Sequence, residues 1–240
     1  IGEKISFIDH ANAPKTGSNF GGTYLFNLSV SDTQIGTMKF VNCDIKYKRG
    51  ICRIKTGADI DNFIIENCVI DSIGGYGVTN PDNGDADILN IKVTNSTFSH
   101  CEKLFVSTKP STKLINSFHA ENCTFAYNMK AGNNYMFDFN KMKFNNDPTL
   151  KNCIFGPGGH KGEAGAISGY RGEGSLIVDN CFATKDIAWY IAEGSDVPSA
   201  PIEMDSTGAD TNGTFENAAS SNFKLLINDL KNVVGDPRWW

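Results

Sequence analysis

A short phrase that recurs along most of the chain limits what this sequence can fold into. Its six copies span residues 40–45, 65–70, 93–98, 120–125, 150–155 and 178–183. The third residue of every copy is an asparagine, and these anchor asparagines are Asn42, Asn67, Asn95, Asn122, Asn152 and Asn180. Successive anchors are separated by 25 to 30 residues. A repeat of this length predicts a solenoid, because one unit cannot bury its apolar face without its neighbours.

Each copy of the phrase predicts a β-strand, since apolar and polar residues alternate at period two. Parallel stacking of the copies, about 4.8 Å apart, would place identical residues above one another in ladders. The asparagines would then bond their side-chain amides from coil to coil. A second ladder would contain Cys43, Cys68, Cys123, Cys153 and Cys181, with Ser96 in place of one cysteine. We interpret these cysteines as small buried apolar residues.

This pattern resembles the right-handed parallel β-helix of the pectate-lyase-like superfamily over residues 38–194. The fold class we predict is therefore all-β, as one domain with an irregular first coil at 1–37 and an irregular C-terminal cap at 195–240. The closing segment 234–240 reads Val-Gly-Asp-Pro-Arg-Trp-Trp. It is similar to the ending of uncharacterised β-helix proteins exported by Gram-negative gut bacteria. That resemblance implies export to the cell surface or periplasm, by a signal or lipid anchor that this sequence does not include.

A second strand is predicted in each coil, at residues 51–56, 76–81, 104–109, 136–141 and 166–171. Aligned in this way, the sixth column contains Thr56, Pro81, Lys109, Lys141 and Arg171. The fifth column contains Lys55, Asn80, Thr108, Asn140 and Tyr170. The cations predict a basic ladder that binds an acidic polysaccharide, and the fifth column supplies further substrate-binding side chains, with the Tyr170 ring stacking on a sugar. The alternative is that these are solvated side chains at a strand exit.

The resemblance also implies the usual chemistry of the superfamily, which is polysaccharide cleavage by lyases or hydrolases. A lyase uses a lysine or arginine base, for which Lys109, Lys141 and Arg171 are the candidates. His160, in an inserted loop at 156–164, is the histidine that would serve as a general acid or base. If the protein is an enzyme, a lyase is favoured over a glycoside hydrolase, which needs two carboxylates flanking the scissile bond. The lyase and hydrolase motifs of the superfamily are both missing from the sequence, which favours a non-catalytic role. The rival hypothesis is a non-catalytic surface scaffold or adhesion module.

A calcium site is a further hypothesis. Asp82, Asp85 and Asp87 occupy one short acidic loop, and carboxylate oxygens are the ligands that calcium prefers. A loop rich in Asp, Asn and Gly is equally typical of a simple turn.

Charge and hydropathy limit the partners. The chain carries 22 Lys and Arg against 27 Asp and Glu, a net charge of −5. This balance argues against nucleic-acid binding, which needs clustered positive charge. An apolar run of the roughly 20 residues that a membrane helix requires is also missing from the sequence. We expect a monomer without a transmembrane segment.

Overall fold

Three parallel β-sheets form the walls of a solenoid, and each coil of the chain contributes one strand to each wall. A computed structural model describes residues 5–8, 23–55, 57–82, 86–106, 115–129, 135–140, 143–160, 163–190, 199–200 and 202–240. Neighbouring strands in each wall come from successive coils, so the repeats stack in sequence order. The prediction of an all-β parallel solenoid is confirmed.

The three walls are distinguished by their position relative to the anchor asparagines. Sheet 1 follows the anchors and contains Ile5–Ile8, Cys43–Lys46, Val69–Asp71, Thr97–Ser99, Thr124–Ala126, Ile154–Phe155, Phe182–Ala183 and Asp205–Ser206. Sheet 2 contains Tyr24–Leu28, Gly50–Ile54, Thr79–Pro81, Phe105–Val106, Phe137–Phe139, Tyr170–Gly172 and Ser199–Ala200, of which the last is antiparallel. Sheet 3 ends just before the anchors and contains Gln34–Val41, Asp59–Glu66, Asp87–Thr94, Ser117–Glu121, Thr149–Lys151 and Ile177–Asp179.

The remaining elements are short. Gly158–His160, Glu163–Ser168 and Ala188–Tyr190 form a small sheet, and Phe215–Asn217 pairs with Asn222–Leu225. One α-helical turn spans Thr211–Thr214, and 3-10 turns span Ala218–Ser220, Asn228–Leu230 and Pro237–Trp239. Among the described ranges, every helix is too short or too polar to cross a bilayer.

The anchor asparagines make the turn from sheet 3 to sheet 1. All six have φ between 49° and 54°, the left-handed region that asparagine tolerates better than most residues. The side-chain amide of Asn122 donates to Asn95 Oδ1 at 3.1 Å, and the side-chain amide of Asn180 donates to Asn152 Oδ1 at 2.8 Å. The predicted asparagine ladder is confirmed at these pairs, and the left-handed turn explains why the repeat uses this residue.

The predicted cysteine ladder is confirmed, and it faces the interior. Its five cysteines and Ser96 are at most 4% exposed. The Cys43 amide donates to Cys68 Sγ at 3.4 Å, and the Cys68 amide donates to Ser96 Oγ at 3.0 Å. Serine can therefore replace cysteine, because either side chain accepts the amide of the preceding coil. Burial raises the pKa of the Cys68 thiol to about 12, so it stays neutral.

Sheet 3 carries a second asparagine ladder, which the phrase search did not reveal. The Asn90 amide donates to Asn62 Oδ1 at 3.3 Å, and the Asn116 amide donates to Asn90 Oδ1 at 2.8 Å. The Asn146 amide continues the ladder to Asn116 Oδ1 at 3.3 Å. These side chains satisfy one another where the chain enters sheet 3.

Both ends of the chain differ from their predicted form. The first coil is regular where it is described, because Ile5–Ile8 and Tyr24–Leu28 pair in register with sheets 1 and 2. At the other end, Asp205–Ser206 adds the last strand of sheet 1. The tail then turns back along the outward face of that sheet, where Phe215 packs in one cluster with Ala126 and Ile154. It therefore covers a side of the solenoid as well as adding to its end.

Candidate functional site

The outward face of sheet 2 carries paired charges and aromatic rings. Arg53 pairs in register with Asn80 on the next coil, and Arg171 pairs with Asp138. The residues flanking Asp138 are Phe137 and Phe139, which are buried in the core. Because side chains alternate across a strand, Asp138 and Arg171 point outward. Two arginine clusters follow from this arrangement, one near each end of the sheet.

The first cluster is organised by Arg53. Its Nε donates to Asp82 Oδ2 at 3.0 Å, and one terminal nitrogen also donates to that carboxylate. The other terminal nitrogen donates to Tyr24 Oη at 3.2 Å. Arg53 therefore has donors committed to two neighbours, and its charge is balanced by Asp82.

Tyr24 and Tyr76 meet beside this ion pair, although a whole coil lies between them. Their ring centroids are 5.1 Å apart at an interplanar angle of 79°. Gly50 occupies the intervening position, where a Cβ atom would lie 2.9 Å from Tyr76 Cβ and 3.3 Å from Tyr24 Cδ1. A larger residue would push the rings apart, so glycine creates the notch in which they meet. Burial is the main cause that raises the pKa of Tyr24 to about 12, so its hydroxyl stays neutral.

Arg49 lies against the same two rings. Its guanidinium carbon is 4.7 Å from the Tyr76 centroid and 5.4 Å from the Tyr24 centroid, within the range of a cation–π contact. Arg49 Nε is buried and has no hydrogen-bond partner within the described ranges. Arg53 and Arg49 thus share an aromatic wall but differ in their polar contacts.

The second cluster repeats the first with different residues. Arg171 donates from Nε to Asp138 Oδ1 at 2.8 Å and from a terminal nitrogen to Asp138 Oδ2 at 2.7 Å. Its guanidinium carbon lies 4.4 Å from the centroid of Tyr135. This is a bidentate ion pair backed by an aromatic ring, which holds the guanidinium in one orientation.

The predicted basic column requires correction. Arg171 pairs with Asp138, three residues before Lys141, and Pro81 pairs with Ile54 instead of Thr56. The alignment slipped because loop lengths vary between coils, and an odd slip moves a side chain to the other face of a strand. Thr56, Lys109 and Lys141 lie outside the described residues, so their predicted roles stay predictions.

The predicted substrate-binding residues are found in different environments. Lys55 is exposed, whereas Asn80 is 7% exposed and its Oδ1 is buried without a hydrogen-bond partner among the described residues. Asn140 is half-buried, and its Oδ1 also has no partner. Tyr170 pairs with Phe137 and belongs to the core, contrary to its predicted position against a sugar ring. Thr108 is outside the described residues.

The predicted His160 belongs to the strand Gly158–His160, which pairs antiparallel with Glu163–Ser168. The predicted inserted loop is therefore in part a β-hairpin. The side chain of His160 is outside what the structure describes, and its acid–base role stays a prediction.

The aspartates of the calcium hypothesis have different environments where the structure describes them. Asp82 is the partner of Arg53, and Asp87 is 2% exposed. Asp85 is outside the described residues. Within the described ranges, no group of three His, Cys, Asp or Glu side chains is arranged to hold a metal ion. The calcium site remains a hypothesis that the Asp82–Arg53 ion pair disfavours.

The sequence interpretation missed Tyr24, Arg49 and Tyr76. Tyr24 and Arg49 are 25 residues apart, and Arg49 and Tyr76 are 27 apart, so all three recur at the step of the solenoid. Applying the repeat period to aromatic and cationic residues would have grouped them.

Comparison with known proteins gives one match. A family described as Domain of unknown function (DUF5123) matches residues 118–239, which include the last coils and the tail. Neither the curated proteins nor the solved structures contain a match. Because the match spans more than half of the chain, this protein belongs to the DUF5123 family.

Proposed function

We propose that this solenoid is an exported protein that binds an acidic polysaccharide along the outward face of sheet 2. The observation that carries the proposal is the presence of arginine–tyrosine clusters on the first and later coils of one sheet face. Strands in a sheet are spaced about 4.8 Å apart, which is comparable to the repeat of an extended glycan chain. Guanidinium groups suit carboxylates or sulfates, and aromatic rings suit the apolar faces of sugars.

Binding is better supported than cleavage. Asp138 occupies two donors of Arg171, a geometry that favours ion pairing over the acceptance of a proton. The lyase hypothesis for Lys109 and Lys141 concerns residues outside the described ranges. Cell-surface or periplasmic location likewise stays a prediction.

A scaffold without glycan turnover is the second candidate. The Arg53–Asp82 and Arg171–Asp138 pairs favour it, because an arginine that is already paired can serve to stabilise the outer wall. The two candidates differ in whether sheet 2 retains a glycan.

The test compares two triple variants that remove the same charge. The first replaces Lys55, Lys109 and Lys141, the lysines of the predicted fifth and sixth columns, with glutamine. The second replaces Lys39, Lys92 and Lys151 of sheet 3 with glutamine. Retention on immobilised polygalacturonate, alginate and chondroitin sulfate is measured together with the ultraviolet absorbance of unsaturated uronate product.

We expect the first variant to bind about tenfold more weakly, since three charge contacts with the glycan would together contribute about 1–2 kcal/mol. The sheet 3 variant should bind like the parent, and parental binding should weaken with salt. Equal retention of both variants would place binding elsewhere. Absence of retention by the parent protein would favour the scaffold, and product absorbance would establish a lyase.

A further inference from the structure

The three arginines of the two clusters, Arg49, Arg53 and Arg171, are not equivalent. Arg53 and Arg171 each direct donors to an aspartate, at Asp82 and Asp138. Arg49 makes no such contact with any described residue, and its Nε is buried and unpartnered. Because Arg53 and Arg171 already donate to these aspartates, they have few donors left to bind a new anion. Arg49 therefore differs from Arg53 and Arg171 in having donors that are free to bind an anion.

The surroundings of Arg49 are those of a built site. Gly50 lets Tyr24 and Tyr76 come together, and the guanidinium of Arg49 lies over both rings. Arg53 holds the Tyr24 hydroxyl from the other side. With one aspartate beside two arginines, the described part of the cluster carries an excess positive charge. The rings exclude water from one side of that charge, which strengthens its attraction for an anion.

We propose that Arg49 is the residue that binds the anionic group of the ligand. A carboxylate accepts hydrogen bonds from the terminal nitrogens of Arg49, since Nε itself is buried, and the rings of Tyr24 and Tyr76 contact the adjoining sugar. Arg53 is a positioning residue, which fixes Tyr24 through its hydroxyl and is itself fixed by Asp82. This inference rests on the proposed polysaccharide function but concerns a residue that the function alone does not select.

The binding test uses Arg49→Gln, Arg49→Lys and a matched control, Lys92→Gln. Lys92 is exposed on the outer face of sheet 3, so its replacement removes one positive charge away from the cluster. We expect Arg49→Gln to raise the Kd for polygalacturonate about tenfold, and Lys92→Gln to leave it unchanged. Arg49→Lys keeps the charge without the two terminal nitrogens of the guanidinium and should give an intermediate Kd. If the glutamine variant fails to fold by circular dichroism, the lysine variant carries the comparison.

A second measurement separates this inference from the proposed function. The Arg49 Nε–H signal is followed by nuclear magnetic resonance in the parent protein, after assignment by its loss in Arg49→Lys. We expect the signal to shift with sodium glucuronate and to remain in place with glucose. A shift without retention of any polysaccharide would support the Arg49 site and overturn the polysaccharide function. Retention with an unmoved signal, and equal affinities of Arg49→Gln and Lys92→Gln, would overturn the Arg49 assignment and leave the function standing.

Discussion

The outward faces of sheets 1 and 2 rest on the same coils but meet different surroundings. On sheet 1, Thr97 and Thr124 are at most 1% exposed because the tail covers them. On sheet 2, the side chains of Arg53 and Arg171 keep 18% and 20% of their surface exposed. A solenoid repeats the same positions on each wall. Whether the outward side chains of a wall are buried or exposed therefore depends on the segment that lies over that wall.

The polar groups of sheet 1 are also hydrogen-bonded to the tail. The Thr97 hydroxyl donates to Asp236 Oδ2 at 2.7 Å and accepts from Trp239 Nε1 at 2.6 Å. The Asp236 amide donates to Thr124 Oγ1 at 3.0 Å. These polar groups of sheet 1 are satisfied by the tail. On sheet 2, the described contacts of Arg53 and Arg171 are made to side chains of neighbouring coils, and both arginines stay partly exposed.

The largest expected effect comes from removing apolar contact between the tail and sheet 1. Phe223 is fully buried, and its ring packs 5.6 Å from Phe215 and 5.9 Å from Trp239. We expect Phe223→Ala to lower the free energy of unfolding by about 3–5 kcal/mol in a urea titration, because it leaves a cavity. The control is Leu226→Ala, at a position 46% exposed, which should cost less than about 1 kcal/mol. Equal losses for the two variants would mean that the tail is not a packed part of the core.

A smaller effect is expected where the backbone of the tail approaches sheet 1. Gly235 has φ of 78°, and a Cβ there would lie 2.8 Å from Ile154 Cγ2 and 3.0 Å from Thr124 Oγ1. Gly208 has φ of 81° but open space around its missing side chain. Gly208→Ala should therefore cost about 1–2 kcal/mol from backbone strain alone.

Gly235→Ala should cost about 1 kcal/mol more than Gly208→Ala, because the new methyl group also displaces the tail from the sheet. Urea titrations of both variants measure the difference. A loss at Gly235 no larger than that at Gly208 would show that the close approach carries no energetic weight.

The sequence was sufficient to predict the solenoid and its interior ladders. The anchor asparagines recur because every coil makes a left-handed turn at this position. The same residue type therefore appears once per repeat of the sequence. The cysteine ladder followed for the same reason, since all its members occupy equivalent buried positions. Periodic physical constraints can thus be read directly from one sequence.

The candidate site and the tail were less predictable because their contacts do not repeat. Thr97 and Asp236 are 139 residues apart and bond once. The closing Gly-Asp-Pro-Arg-Trp segment was interpreted only as a sign of kinship, whereas its Asp236 and Trp239 fasten the tail to sheet 1. The place of Arg171 depended on strand register, which variable loop lengths obscure. Its partner Asp138 carried no motif that would reveal it.

The smallest effect concerns a carboxylate that joins the tail to sheet 1. Asp71 accepts hydrogen bonds from Ser72 at 2.7 Å and from Ser221 of the tail at 2.9 Å, and His100 Nδ1 lies 3.4 Å from it. Burial opposes ionisation, but these contacts and the charge of His100 outweigh it and lower the pKa of Asp71. Lys46 is its register partner on the preceding coil.

A lowered pKa in the folded state has a defined consequence for pH dependence. The stabilisation is present above the unfolded-state value of about 3.9 and is lost as the pH falls through the folded-state value. We therefore expect Asp71→Asn to be less stable than the parent at pH 7, and the gap to narrow by pH 3, in urea titrations. The exposed Asp32→Asn variant controls for the loss of one negative charge. A gap that stays constant with pH would show that Asp71 contributes through packing and not through its charge.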